Sequence, residues 1–221
     1  MKNIYIITGE YGSGKTEFSV NLALRLREQT TRPIYLADLD VINPYFRSRE
    51  REKFLKKREI TIVGIELDAK VAQDLPAVSY GFIQGNEESM TILDLAGSEN
   101  GLKPLGALYD KIEQPEFLCV FNLFRPLTDT KEKILALIDK VNAISGWPVT
   151  GLVNNSNLLH HTQASHILAG QEVLLQVSEE RGIPLTFTQL NNKLYDQISS
   201  KIQSEEVILF EQLQMRESWQ G

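Results

Sequence analysis

The 221-residue chain has a single cysteine, Cys119. One thiol excludes an intrachain disulfide and any multi-cysteine metal or iron–sulfur site built from one chain, and it fits a reducing compartment. Long apolar runs are missing too, and none approaches the length that spans a bilayer. At the N-terminus only Lys2 precedes a short apolar run that stops at Thr8-Gly9. That is too short for a secretory signal and lacks a small-residue cleavage site, so a cytoplasmic location is expected. Positive charge is not in excess: 23 Lys and Arg against 29 Asp and Glu give a formal net charge of −6. This balance argues against general binding to nucleic acid or anionic membrane, although a local basic patch remains compatible with it. Of the 3 histidines, His160 and His161 are adjacent and should point apart, and His166 is not at i+4 from either, so no zinc or nickel site from one chain is expected. Repeats, low-complexity tracts and linker-like stretches are also absent, which leaves a single domain over residues 1–221 as the expectation.

What is present is organised around Gly9-Glu10-Tyr11-Gly12-Ser13-Gly14-Lys15-Thr16. This stretch has the spacing G-x-x-x-x-G-K-[ST]. It follows the apolar run Ile4-Tyr5-Ile6-Ile7 and leads into Phe18, Leu22 and Leu26 at helical spacing, so its context is strand, loop, helix. In that context the glycines let backbone N–H groups turn inward around phosphate oxygens, and the helix N-terminus adds its partial positive charge. Lys15 then reaches the β- and γ-phosphates as a point charge, and the Thr16 hydroxyl holds Mg²⁺. The expected binding set is Gly9, Gly12, Ser13, Gly14, Lys15 and Thr16, with Glu17 in the first turn of the helix.

Further along, Ile34-Tyr35-Leu36-Ala37 reads as a second strand ending at Asp38-Leu39-Asp40. Ligands sit at the carboxyl ends of parallel strands, so both aspartates are placed for function. Asn43-Pro44 starts a charged helix, and the Arg47 to Arg58 stretch is either a basic surface for phosphate or a partner, or a solvated helix laced with pairs such as Glu52 to Lys56. Ile60 to Ile65 is a third strand, and Asp74 to Gln84 a short irregular helix. Met90 to Gly97 is an apolar run with Asp94 near its end and Gly97 three residues later. An aspartate at a strand end beside a phosphate loop can hold a Mg²⁺-bound water, and the glycine offers an N–H to a γ-phosphate and a hinge. Residues 98–101 then form a switch-like loop ahead of a helix starting near Lys103.

Phe117 to Leu123 is continuously apolar, as in a strand buried on both faces, and Cys119 within it is a packed small hydrophobe. Helices follow over Thr128 to Ile144 and Thr162 to Arg181. Trp147 to Val153 is a strand that ends at Asn154-Asn155-Ser156-Asn157, a place for base recognition, and Leu185 to Thr188 is the last strand. The spacing of Val207, Phe210 and Leu213 suggests a closing helix over about 194–217. Strands alternating with helices imply an α/β three-layer sandwich with a mainly parallel, seven-stranded sheet covered on both faces.

With these elements in this order, the chain resembles the SIMIBI class of P-loop NTPases, and within it the Min/Par partition-type ATP-binding proteins. The resemblance covers roughly residues 1–190. It implies that Asp38 supports the metal's water shell, that Asp40 orients or activates the attacking water, and that both act with Lys15 in catalysis. It implies that Asp94 holds Mg²⁺ through water, that Gly97 senses the γ-phosphate, and that the Asn154 amide meets the base edge. It further implies ATP and Mg²⁺ as cofactors, ATP-driven homodimerisation, a protein partner released on slow hydrolysis, and a two-state switch. One departure is Glu10, where partition-type members carry a signature lysine. Tyr11 to Thr16 is closer to the loop of nickel-insertion GTPases, although guanine recognition needs a carboxylate and this chain has Asn154-Asn155-Ser156-Asn157. An ATP-dependent ligase or kinase of the dethiobiotin-synthase type is the third reading.

Overall fold

The computed structural model describes residues 2–39, 52–64, 88–97, 99–103, 105–106, 108 and 112–215. Asp40, residues 47–51 of the charged Arg47 to Arg58 stretch and the helix expected over Asp74 to Gln84 lie outside these residues.

Among the described residues, eight strands form one sheet: β1 (Ile4–Thr8), β2 (Ile34–Asp38), β3 (Ile60–Gly64), β4 (Met90–Asp94), β5 (Glu116–Phe121), β6 (Gly151–Asn154), β7 (Leu185–Asn191) and β8 (Glu206–Phe210). Their order is β3-β2-β4-β1-β5-β6-β7-β8, and every pairing is parallel. The helices are α1 (Lys15–Gln29), α2 (Glu52–Lys56), α3 (Glu99–Leu102), α4 (Lys131–Ser145), α5 (Ala164–Arg181) and α6 (Asn192–Ile198).

The all-parallel arrangement explains the unbroken apolar runs, because strands covered on both faces bury both sets of side chains. Alternation then sorts each strand between two cores. Ile4 and Ile6 of β1, with Phe117, Cys119 and Phe121 of β5, pack against Ile134 and Ile138 of α4 and Leu174 of α5. Tyr5, Ile7, Leu118 and Val120 face the other way, onto Phe18, Leu22 and Leu26 of α1. The same parity assigns the strand ends. Leu36 of β2 and Ile92 of β4 belong to the α1 side, so Asp38 and Asp94, two residues on, share that side. They are register partners across the β2–β4 pair. Since β1 lies between β4 and β5, the chain reverses its direction of winding there, and a crevice opens at the carboxyl ends of these strands.

Two expectations are corrected. Instead of a closing helix over about 194–217, the chain forms α6, a 3-10 turn at Ser199–Lys201 and the edge strand β8, which pairs with β7 from Phe187↔Glu206 to Asn191↔Phe210. The three-residue spacing of Val207, Phe210 and Leu213 overlooked Ile208, which is the buried residue, 1 % exposed, in the α1-side core. Val207-Ile208 is β-branched and suits an edge strand better than a helix. The sheet thus has one strand more than expected, and β7 runs to Asn191 rather than ending at Thr188. Second, a helical turn begins at Glu99, directly after the glycine element, where a loop up to Lys103 was expected. Gly101 permits this: a Cβ there would lie 2.5 Å from the Ala96 Cβ. No helix among the described residues is long and apolar enough to cross a membrane.

The register of β8 makes a sharp prediction. Ile208→Ala should cost about 2–5 kcal/mol in a denaturant unfolding curve, whereas Leu209→Ala, next door but 44 % exposed, should stay within about 0.5 kcal/mol of the parent. Equal losses at the two positions would contradict the strand.

Candidate functional site

The loop after β1 rests directly on β5. Gly9 has φ +147°, and a Cβ on it would come within 2.4 Å of the Val120 carbonyl oxygen, so no other residue fits. Gly12 and Gly14 are left-handed, with φ +76° and +86°. Inside the loop the Ser13 amide donates to the Glu10 carbonyl at 3.1 Å, and the Phe18 amide donates to the Gly14 carbonyl at 2.9 Å as α1 begins.

Two side chains hold the loop's carbonyls from outside. Arg125, in the β5–α4 connection, donates through Nε to the Gly12 carbonyl at 3.1 Å. Asn155, just past β6, donates through Nδ2 to the Ser13 carbonyl at 2.8 Å. The C=O and N–H of a trans peptide point in opposite directions, so this anchor turns the Gly14 N–H away from Asn155. Gln189 of β7 fixes Asn155 in turn, donating to its Oδ1 at 3.2 Å and accepting from Asn21 of α1 at 3.3 Å. The loop, α1, β6 and β7 are thereby joined in one polar network.

Lys15 is buried and arches back so that its ammonium donates to the Glu10 carbonyl at 3.0 Å. Gly97 lies against it: a Cβ there would be 2.6 Å from Lys15 Nζ and 3.0 Å from the Tyr11 amide nitrogen. At the end of β4, Asp94 is 4 % exposed and accepts from Ser19 Oγ at 3.2 Å. Burial pushes its carboxyl up to about 7. The Thr16 hydroxyl bonded to it opposes the rise, the charge of Asp38 adds to it, and Lys15 and Ser19 oppose it. The Thr16 hydroxyl and the carboxylates of buried Asp94 and half-buried Asp38 offer only hard oxygen ligands, a donor set that fits Mg²⁺.

Lys15, Thr16, Asp94 and Gly97 form one end of a cavity of about 1130 Å³, which extends past Asn155–Asn157 to Gln189–Asn191, Phe210 and Leu213. Its volume reaches the upper end of the usual range for small-molecule sites, about 300–1,000 Å³.

Of the expected residues, Gly12, Gly14, Lys15, Thr16, Glu17, Asp94 and Gly97 line this cavity, and Asp38 lies beside Asp94 across the β2–β4 pair without lining it. Gly9 and Ser13 shape the loop from beneath it, and Ser13 Oγ is buried with no hydrogen-bond partner among the described residues. Asn154 is not where base recognition was expected. Its neighbour Leu152 packs on the α4–α5 side and Val153 on the α1 side, so alternation turns Asn154 toward α5. There it is fully buried, donating to the Ile167 carbonyl at 2.9 Å and accepting from the Ser156 amide at 3.1 Å. Glu17 is also placed differently, with both carboxylate oxygens engaged by the backbone of Gln214 and Met215. Glu10 bends onto its own loop, Oε1 accepting from the Tyr11 amide at 2.9 Å, and lines a second, smaller cavity of about 260 Å³ on the other side of Gly97. His160 and His161 do not point apart: their ring centroids are 3.9 Å from each other. A 3-10 turn at Leu159–His161, rather than an α-helix or strand, permits this contact.

Sequence reading missed Arg125, Asn155 and Gln189. A signal existed for the first two, since both follow the carboxyl ends of strands, the rule that singled out Asp38.

No protein-family model and no curated protein matches the chain. Solved structures do. Cell division protein FtsY from Thermotoga maritima aligns with TM-score 0.58 and 21 % identity over 86 % of this chain and 62 % of that one. Chloroplast FtsY from Physcomitrella patens aligns with TM-score 0.54 and 19 % identity over 85 % and 58 %. These likenesses show the fold: the parallel sheet covered by helices on both faces is shared with those proteins. A nucleotide-binding protein in complex with ADP from Archaeoglobus fulgidus shares it, with TM-score 0.50 and 16 % identity over 81 % of this chain and 77 % of that one. The chain therefore spans less than two thirds of either FtsY.

Asp94 gives a stability prediction with a definite sign. Its carboxyl titrates near 7 in the folded chain and at 3.8 in the reference state. The folded protein thus keeps a proton that the unfolded chain has released, and stability falls as pH rises between those values. Asp94→Asn removes this cost. Without nucleotide or metal, the variant should match the parent at pH 4 and melt higher at pH 8, by about 2–4 °C for each kcal/mol relieved, read by thermal denaturation; a lower melting temperature at pH 8 would contradict the cost of burying this carboxylate.

Proposed function

We propose that the chain is a Mg²⁺-dependent ATP-binding protein and a slow ATPase, used as a nucleotide-controlled switch on a protein partner. The observation that carries this reading is the convergence of Lys15, Thr16, Asp94 and Gly97 at one end of a cavity whose far end, among the described residues, has no free carboxylate. The acids lining it among the described residues are Glu17, engaged by two backbone amides, and Asp94, at the metal end. Guanine needs a carboxylate to accept from both its N1 and N2 groups, whereas adenine does not.

In this reading Lys15 leaves the Glu10 carbonyl to meet the β- and γ-phosphate oxygens, and the loop amides hold the phosphates from below. Thr16, Asp94 and Asp38 would hold Mg²⁺, which supplies charge neutralisation at the phosphates. Asp40 would orient the attacking water. The Gly97 amide would contact the γ-phosphate, and α3 begins two residues later at Glu99, so loss of that contact reaches a helix at once. Tyr11 is 80 % exposed and Leu127 59 % exposed, both beside the cavity, which supports a second protein surface there and with it homodimerisation. Glu10 then supplies no lysine across such a dimer.

One observation favours the small-molecule kinase or ligase reading: the cavity of about 260 Å³ behind Gly97, lined by Glu10 and Lys140. A metabolite-dependent burst of ATP use would support it.

Calorimetric titration of the purified chain with ATP, ADP and GTP in Mg²⁺, with oligomeric state followed in parallel, tests the leading reading. ATP and ADP should bind at least about tenfold more tightly than GTP, a difference of about 1.4 kcal/mol. Lys15→Ala should weaken ATP by at least that factor. GTP preference would overturn the adenine assignment, and unchanged ATP binding by Lys15→Ala would overturn the loop assignment.

A further inference from the structure

Glu17 stands two residues past Lys15, where a carboxylate next to bound phosphates would be repelled. Its oxygens face elsewhere. Oε1 accepts from the Gln214 amide at 2.7 Å and from Asn21 Nδ2 at 3.0 Å, and Oε2 accepts from the Met215 amide at 2.8 Å. Charge-assisted bonds of this length are the stronger kind. The segment they hold leaves β8 at Phe210 and is tied at its other end by Asn191, whose Nδ2 donates to the Glu211 carbonyl at 3.0 Å. Met215 packs on the α1-side core. Residues 211–215 therefore run as a strap from the β7–α6 junction to the first turn of α1, pinned at both ends.

Leu213 and Met215 of this strap form part of the cavity wall, beside Phe210 at the end of β8. These side chains are apolar and carry no charge for phosphate. They suit the flat face of a base or the carbon face of a ribose, as the apolar lining of a ligand site does. Asn154, the residue otherwise expected to read the base, is turned away.

We propose that the strap is the wall that recognises the nucleoside part of the ligand, and that Glu17 is the positioning residue that sets it in place. The proposal rests on the nucleotide reading above and adds a division of labour to it: the loop binds phosphate, and the strap binds the nucleoside. Glu17 acts through the strap and touches no phosphate.

The charge of Glu17 gives a test in which the two possible roles have opposite signs. If Glu17 acted only through its field, neutralising it would tighten every phosphate-bearing ligand. If it positions the strap, neutralising it weakens ligands that carry a nucleoside and spares those that do not. The experiment compares the parent, Glu17→Ala, Glu17→Gln, a chain ending at Gln212, and the shortened chain with Glu17→Ala. Each is titrated calorimetrically with ADP and with inorganic tripolyphosphate in Mg²⁺. Tripolyphosphate binding also reports that the loop is folded. We expect Glu17→Ala and the shortened chain each to bind ADP roughly tenfold more weakly, while tripolyphosphate stays within about twofold or tightens, with a smaller ADP loss for Glu17→Gln, which keeps one acceptor. The combined variant should be no weaker than either change alone, because both remove one interaction. Equal losses of ADP and tripolyphosphate, unchanged ADP binding, or additive losses in the combined variant would overturn the proposal while leaving the nucleotide reading standing. A parent chain that binds neither ligand would overturn both.

Discussion

The close approach of Gly9 to the Val120 carbonyl is the constraint on which the rest of the site depends. With no side chain at that position, the loop after β1 can settle onto β5 and turn within a few residues into α1. Everything above is then a matter of holding that turn open in one shape. Arg125 and Asn155 take the Gly12 and Ser13 carbonyls, and Gln189 holds Asn155. A parallel sheet buried on both faces has few places for polar groups except its ends, so the network gathers at the carboxyl edge, beside the helix N-terminus that suits an anion.

The same edge concentrates unfavourable charge. Asp38 and Asp94 lie in register on adjacent strands and face the same side, and Asp94 is buried enough to titrate near neutrality. Groups held at such a cost are commonly functional. Nearby, Lys15 donates to the carbonyl of its own loop, and Glu10 is satisfied by the Tyr11 amide. In the proposed function, buried Asp94, half-buried Asp38, the folded-back lysine and the close-packed Gly97 belong to a site for phosphate and a divalent cation, which together would relieve the repulsion between the two carboxylates.

Much of this was legible in the sequence because it depends on short-range rules. The loop, the strand before it, the helix after it and the apolar runs of β1, β4 and β5 follow from spacing and alternation, and so do the positions of Asp38, Asp94 and Gly97 at strand ends. What escaped depends on tertiary geometry. β8 is a half-exposed edge strand whose apolar residues also fit a helical spacing, and only Ile208's burial decides the matter. Asn154 and Asn155 are neighbours that alternation sends to opposite faces, so a one-residue difference separates a buried structural amide from the one that anchors the loop. Glu17 looked like part of the phosphate site because it is close in sequence, yet its partners are 197 and 198 residues away.

The central claim is that the loop from Gly9 to Thr16 binds nucleotide phosphates together with Mg²⁺. A crystal structure of the chain with Mg²⁺ and a non-hydrolysable ATP analogue tests it most directly. The account predicts the β-phosphate within hydrogen-bond distance of the Gly14, Lys15 and Thr16 amides, the Lys15 ammonium moved from the Glu10 carbonyl onto phosphate oxygens, and the metal on Thr16 with Asp94 behind it. A nucleotide bound elsewhere, or one bound in the cavity with Lys15 still on the Glu10 carbonyl, would contradict it.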